Sequence, residues 1–230
     1  MKPTITTVGL KRLAVATLFA CGIVHAQSTV PVMQPTEGDF DARDFHFQSG
    51  QTLPTVKLHY ATLGTPTRGA DGKINNAVLL LHGTTGTGRA YLTPLMQKEL
   101  FAAGQPLDAS RYYIIMPDGI GRGGSSKPSD ALRANFPRYG YNDVVEGHYR
   151  LLTEGLKVDH LRLVLGTSMG GMQTWVWGER HPDMMDALMP IASQPVAMSG
   201  RNWLWRRMLI DAIRNDPDWN GGNYTRQPTH

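Results

Sequence analysis

The chain of 230 residues contains a single cysteine, Cys21, which excludes an intrachain disulfide framework and a multi-cysteine metal site. No apolar run is long enough to span a bilayer as a mature segment. No glycine-rich stretch ends in the Gly-Lys-Ser/Thr of a phosphate loop, and no acidic residue is spaced to hold a ribose. Internal repeats and low-complexity segments are absent as well, which sets aside solenoids and tethers. What remains is 41% hydrophobic content in a length that suits one globular domain with a sizeable core.

The first residues have the layout of a leader. Lys2, Lys11 and Arg12 make a basic start, "LAVATLFACGIV" (13–24) is apolar, and Val24-His25-Ala26 fits a small-residue cleavage site. This pattern predicts a signal peptide over 1–26 and a periplasmic or secreted protein; a buried N-terminal helix is the alternative. "LFAC" also resembles a lipoprotein site that would anchor Cys21 to lipid, although the bulky Phe19 argues against it. Cleavage after Ala26 would take the only thiol with it. It would also remove three of the 23 basic residues and none of the 19 acidic ones, lowering the net charge from +4 to +1. So small an excess predicts no nucleic-acid partner. Residues 27–40 are Pro- and Thr-rich without periodicity and read as a surface arm.

From there the chain alternates strand-like and helix-like stretches. "DFHFQSGQTLPTVKLHYATLG" has period two around a glycine turn, as an antiparallel pair does. "AVLLLHG" (77–83), "YYIIMPDG" (112–119), "HLRLVLG" (160–166) and "ALMPIAS" (187–193) are short apolar runs of the kind buried in parallel sheets. Helical patterns separate them: 93–104 with Pro94 in its first turn and Gly104 past its end, about 142–156, and 169–181. Such alternation predicts an α/β fold with a mostly parallel sheet covered on both faces.

Three loops at strand ends carry the chemistry. Gly166-Thr167-Ser168-Met169-Gly170 places a serine between a strand and a helix, with glycines where a side chain would collide. The N-terminus of that helix points N–H groups at developing negative charge. In an acyl-transfer enzyme, the backbone N–H after His82-Gly83 joins the one after the nucleophile to bind an oxyanion, which makes Thr84 and Met169 the donors. His82 itself reads as a structural loop histidine rather than a base. "DGIGRGGSSKP" (118–128) taken alone is a flexible loop.

Taken together, His-Gly-x-x-Gly at His82, Asp-x-x-Gly-x-Gly-x-Ser at Asp118, Gly121, Gly123 and Ser125, and Gly-x-Ser-x-Gly-Gly at Ser168 resemble the α/β-hydrolase fold. "LGTSMGGMQTWVWGERHPD" and "DPDWNGGNY" are most similar to the homoserine O-acetyltransferase family, over about Asp39 to the end. The resemblance implies a catalytic core over 41–195 and the start of a helical lid over 196–230. It implies acylation of Ser168 by a small-molecule acyl substrate in ping-pong chemistry, with no metal or bound cofactor.

In that family the acid and histidine follow the lid and two further strands. They have no counterpart here before the sequence stops at His230. His181, at the far end of the 169–181 helix, would lie roughly 20 Å from Ser168. Without the missing strands, "ALMPIAS" would be an exposed apolar edge. The lid helix would show Trp203, Leu204, Trp205, Met208, Leu209 and Ile210 uncovered, a surface for self-association into a homo-oligomer. Ile210 falls where the acetyltransferase branch carries an arginine, with Arg206 and Arg207 nearby. Export would separate the chain from cytoplasmic acetyl-CoA and homoserine. The sequence-based expectation is therefore an exported serine hydrolase, esterase- or amidase-like, passing its acyl group to water and inactive as it stands. The alternatives are a homoserine O-acetyltransferase-like acyltransferase and a non-catalytic binding protein on the same fold.

Overall fold

The computed structural model describes residues 32–226. The leader expected over 1–26, Cys21 and His230 lie outside the described residues. Six strands form one sheet in the order β1-β2-β4-β3-β5-β6. β1 (Thr36–His46) and β2 (Thr52–Leu63) are an antiparallel hairpin, with Phe45 opposite Leu53. β2 then pairs antiparallel with β4 (Tyr113–Pro117). From there the sheet is parallel: β3 (Ala77–Leu81) lies between β4 and β5 (Leu163–Thr167), and β6 (Leu188–Ile191) closes it. β1 begins at Thr36, so the last residues of the arm expected over 27–40 are sheet. The alternation missed this because Glu37, Asp39, Asp41 and Arg43 put a charge at every second position, on the exposed side of an edge strand.

Period two sorts the central strands onto two faces. Leu79, Leu81 and Ile115 meet Val145, Leu152 and Trp177 from the helical side. Val78, Leu80, Ile114 and Met116 meet Tyr91, Phe101 and Leu107 on the other. β3 and β4 are buried at every position, as their unbroken apolar runs predict. The helices start where expected. α1 (Pro94–Met96) has Thr93 as its cap, whose side chain accepts from the Met96 N–H. It widens into a π-turn over Gln97–Phe101, and Gly104 lies beyond in the left-handed region. α2 (Tyr141–Arg150) likewise runs into a π-turn over Leu151–Gly155. α3 (Met169–Arg180) packs under β5 and β6, and α4 (Gly200–Asn215) follows.

Burial falls away over β6 and α4. Among the described residues β6 pairs only with β5, and Met189 and Ile191 are exposed. No residue of α4 is buried; Trp203, Trp205, Met208 and Leu209 are each more than half exposed. No helix among the described residues is long and apolar enough to cross a membrane.

Candidate active site

The parallel arrangement of β4, β3, β5 and β6 sends the loops after each of them to one end of the sheet, where α/β folds gather ligands. The loop after β3 holds Thr84, the loop after β4 holds Asp118, and Ser168 directly follows β5.

Ser168 sits at φ 57°, ψ −112°, between the last residue of β5 and the first of α3. A non-glycine residue there is strained, at a cost of order 1–3 kcal/mol that the surroundings must over-determine. They do so from three sides. The Ser168 N–H donates to the Ile191 carbonyl of β6 at 2.9 Å, and its carbonyl accepts from Met172 at 3.0 Å. A Cβ on Gly166 would run into the Gly170 backbone, and one on Gly170 would run into the Leu81 and His82 carbonyls. Both glycines are thus required by close backbone approach, the reason the sequence pattern suggests.

The side chain at this turn is half-buried, and the Ser168 hydroxyl has no hydrogen-bond partner among the described residues. Gly83 faces it: a Cβ built on Gly83 would lie 3.8 Å from the Ser168 Cβ. The next residue, Thr84, is exposed, and its N–H makes no hydrogen bond among the described residues. Met169 opens α3, where an N–H has no acceptor within the helix.

The Thr84 loop is fixed by residues whose role the sequence left unread. Asp118, 4% exposed, accepts from the Gly88 N–H at 2.7 Å through Oδ1 and from the Gly124 N–H at 2.8 Å through Oδ2. Its carbonyl accepts from the Ser125 hydroxyl at 2.8 Å. The loop over 118–128, expected to be flexible, is instead stapled to the loop after β3. The Asp-x-x-Gly-x-Gly-x-Ser spacing was the available signal, since Gly123 leaves room for the carboxylate that a Cβ would strike.

His82 is the second staple. Its Nε2 accepts from the Gly119 N–H at 3.0 Å, so Nδ1 carries the proton and donates to the Gly83 carbonyl at 2.8 Å. Both nitrogens are used in holding backbone, as expected for a structural histidine. Burial lowers its pKa, with Arg122 adding to the effect and the Gly83 carbonyl and Asp118 opposing it. His148 of α2 lies beneath, fully buried, with both ring nitrogens unpartnered. Burial pushes its pKa down to about 3, the nearby His82 adds to this, and the Asp118 backbone opposes it.

Candidate bases are elsewhere. His181 ends α3 and stacks on Tyr149, ring centroids 4.1 Å apart. Among the described residues no three His, Cys, Asp or Glu side chains gather to hold a metal. Near Ile210, Arg207 pairs with Asp211 (Nε to Oδ2, 2.9 Å), while Arg206 has no ion pair among the described residues.

A strained serine between a parallel strand and a helix, faced by a His-Gly loop, is the geometry shared with a known family: residues 76–228 match the alpha/beta hydrolase fold. The chain belongs to that family. It is 33% identical to a homoserine O-acetyltransferase of Thermobifida fusca over 195 residues, 79% of this chain and 50% of that protein. It is 38% identical to one of Solidesulfovibrio magneticus over 192 residues, 77% and 47% respectively. Among solved structures, an acetylester hydrolase from Corynebacterium glutamicum superimposes with a TM-score of 0.73 at 27% identity, covering 83% of this chain and 53% of that one. The chain spans about half the length of the curated relatives it matches. These relatives correct the expectation of an exported serine hydrolase. They are named for acetyl transfer to homoserine, and nothing in them indicates export. The expectation had rested on the leader-like N-terminus and on Ile210, neither of which reports on the chemistry at Ser168.

Proposed function

We propose that the chain carries the nucleophile half of a homoserine O-acetyltransferase-like enzyme. Ser168 Oγ attacks the carbonyl of an acyl thioester, the C–S bond breaks, and the thiol leaves with the proton. The hydroxyl of an amino-acid acceptor then attacks the acyl-serine, taking the acyl group and returning the proton to Ser168. In this reading the Thr84 and Met169 backbone N–H groups hold the oxyanion. The observation that carries it is the strained Ser168 backbone opposite Gly83, which turns an unpaired hydroxyl toward the loop that bears Thr84.

Turnover also requires a base, and no imidazole among the described residues hydrogen-bonds to Ser168. Both acylation and transfer to the acceptor are therefore expected to be slow and are followed over long incubations. Incubation with radiolabelled acetyl-CoA, followed by peptide mapping, tests this. Label on Ser168 that is absent in Ser168→Ala and is released to homoserine as O-acetylhomoserine supports the reading. Release as acetate alone, at a rate indifferent to homoserine, overturns it.

A further inference from the structure

A buried hydroxyl joins the two strand ends that lead into the site. Tyr91 closes a short 3₁₀ turn over Gly88–Tyr91 and is 7% exposed. Its hydroxyl donates to the carbonyl of Leu81, the last residue of β3, at 2.8 Å. The same oxygen lies against Thr167, the last residue of β5: burial raises the Tyr91 pKa, and the Thr167 side chain and backbone oppose the rise. We infer that Tyr91 is a positioning residue for the oxyanion hole, setting the distance between the Thr84 and Met169 N–H groups through the ends of β3 and β5. The inference rests on the acyl-transfer reading, in which those two groups are the donors.

The turn that carries Tyr91 is fixed from another side. The Gly88 N–H donates to Asp118 Oδ1 at 2.7 Å, and a Cβ on Gly88 would strike the Met116 carbonyl. The turn is therefore anchored on the end of β4, and the Tyr91 ring belongs to the apolar cluster of Leu80, Ile114, Met116 and Leu165. The Leu81 carbonyl is equally constrained. A Cβ on Gly170 would run into it, so the first turn of α3 rests on the group to which Tyr91 donates. Thr84 stands three residues beyond Leu81, and Met169 directly precedes Gly170. A carbonyl held between a phenol and the start of α3 thus sets both donors at once.

Packing alone asks only for a ring at this position, which phenylalanine would supply. The hydroxyl is what reaches Leu81 and Thr167. Oxyanion donors act only when they sit about 2.7–3.1 Å from the point where charge develops. A small drift of either strand end therefore weakens the transition state and leaves substrate binding as it was.

Tyr91→Phe in the full chain removes the hydroxyl and keeps the ring. Acylation of Ser168 is followed by intact mass over long incubations with p-nitrophenyl acetate and with its thiono analogue. The charge of the thiono ester develops on sulfur, a larger and weaker acceptor that gains less from the same donors. In Tyr91→Phe the rate with the oxygen ester is expected to fall about tenfold, the worth of one hydrogen bond. The half-saturating concentration stays the same, and the oxygen-to-sulfur rate ratio falls with the rate. Phe101→Leu loosens the same apolar cluster without touching the hydrogen bond and is expected to keep the original ratio. An unchanged ratio in Tyr91→Phe, or an equal fall in both variants, overturns the assignment. Amide exchange separates that result from failure of the acyl-transfer reading. The Gly86 N–H donates to the Gly83 carbonyl at 3.1 Å and the Gly119 N–H to His82 Nε2 at 3.0 Å, so both report on the turn that leads to Thr84. If neither ester acylates Ser168, the acyl-transfer reading falls and exchange decides the rest. Faster exchange at both amides in Tyr91→Phe, and not in Phe101→Leu, keeps Tyr91 as the residue that positions this turn; unchanged exchange overturns it.

Discussion

Helices α3 and α4 each follow a strand of the parallel part of the sheet, yet one is held by its neighbours and the other is not. α3 buries Met172, Gln173, Thr174 and Trp177 and two glycines against β3, β5 and β6. α4 is longer and carries two tryptophans, but buries nothing. Apolar content alone therefore does not decide burial. A surface beside a closed sheet face gives α3 its place, and among the described residues no such surface meets α4. The same closed surroundings hold Ser168 in strain from three sides.

The contrast yields predictions of decreasing size. The largest concerns chemistry: Ser168→Ala removes acyl labelling altogether. In any form of the protein that turns over, it costs on the order of 10⁶ in kcat, as loss of a triad member does. It leaves the fold intact, because the strain at φ 57° resides in the backbone. Next, Trp177→Ala costs about 3–5 kcal/mol by emptying a fully buried site, whereas Trp205→Ala on α4 changes stability by less than about 0.5 kcal/mol. Urea titrations of the two variants give the difference directly, and equal losses would erase the distinction between the helices.

Glycines near the two helix starts sharpen it further. Gly170→Ala forces a Cβ into the Leu81 carbonyl and is expected to cost roughly 3 kcal/mol. Gly200→Ala meets nothing within 4 Å and suffers only from its φ of 59°, about 1 kcal/mol.

Acid separates the regions as well. His82 and His148 are held neutral by burial, while in the unfolded chain they take up protons below pH 6.5. Their folded pKa values are lowered, so the unfolded state binds more protons below pH 6.5 and stability falls as pH drops; for His148 the fall continues toward pH 3. The slope from His148 approaches about 1.4 kcal/mol per pH unit, and His82 adds to it in the same direction. Thermal melts at pH 7, 6 and 5 are expected to show falling midpoints. A shallower slope in His148→Leu assigns its share, and an unchanged slope assigns none. No described residue of α4 contributes to this slope, since none is a histidine.

The sheet and Ser168 were legible in the sequence because strong local rules act there. Unbroken apolar runs of about five residues have few alternatives to a buried parallel strand, and glycines flanking a serine leave little room for any other turn. The first half of β1 was not legible, since charges at alternate positions of Glu37–Arg43 mask its apolar side. The stapling role of Asp118 escaped because it depends on Gly88, thirty residues earlier, and a contact at that distance leaves no periodic trace. His148 escaped for a related reason: a polar residue on an otherwise apolar helix face is visible, but its orphaned nitrogens are not.

The central claim is that Ser168 is a nucleophile that accepts an acyl group from a thioester and passes it to an amino-acid hydroxyl. Mass spectrometry of the intact chain after exposure to acetyl-CoA, with and without a homoserine chase, tests it most directly. The account predicts a single added acetyl group on Ser168, absent in Ser168→Ala, and its reappearance in O-acetylhomoserine. A folded chain that acquires no acetyl group, or that loses it only to water whether or not homoserine is present, would contradict it.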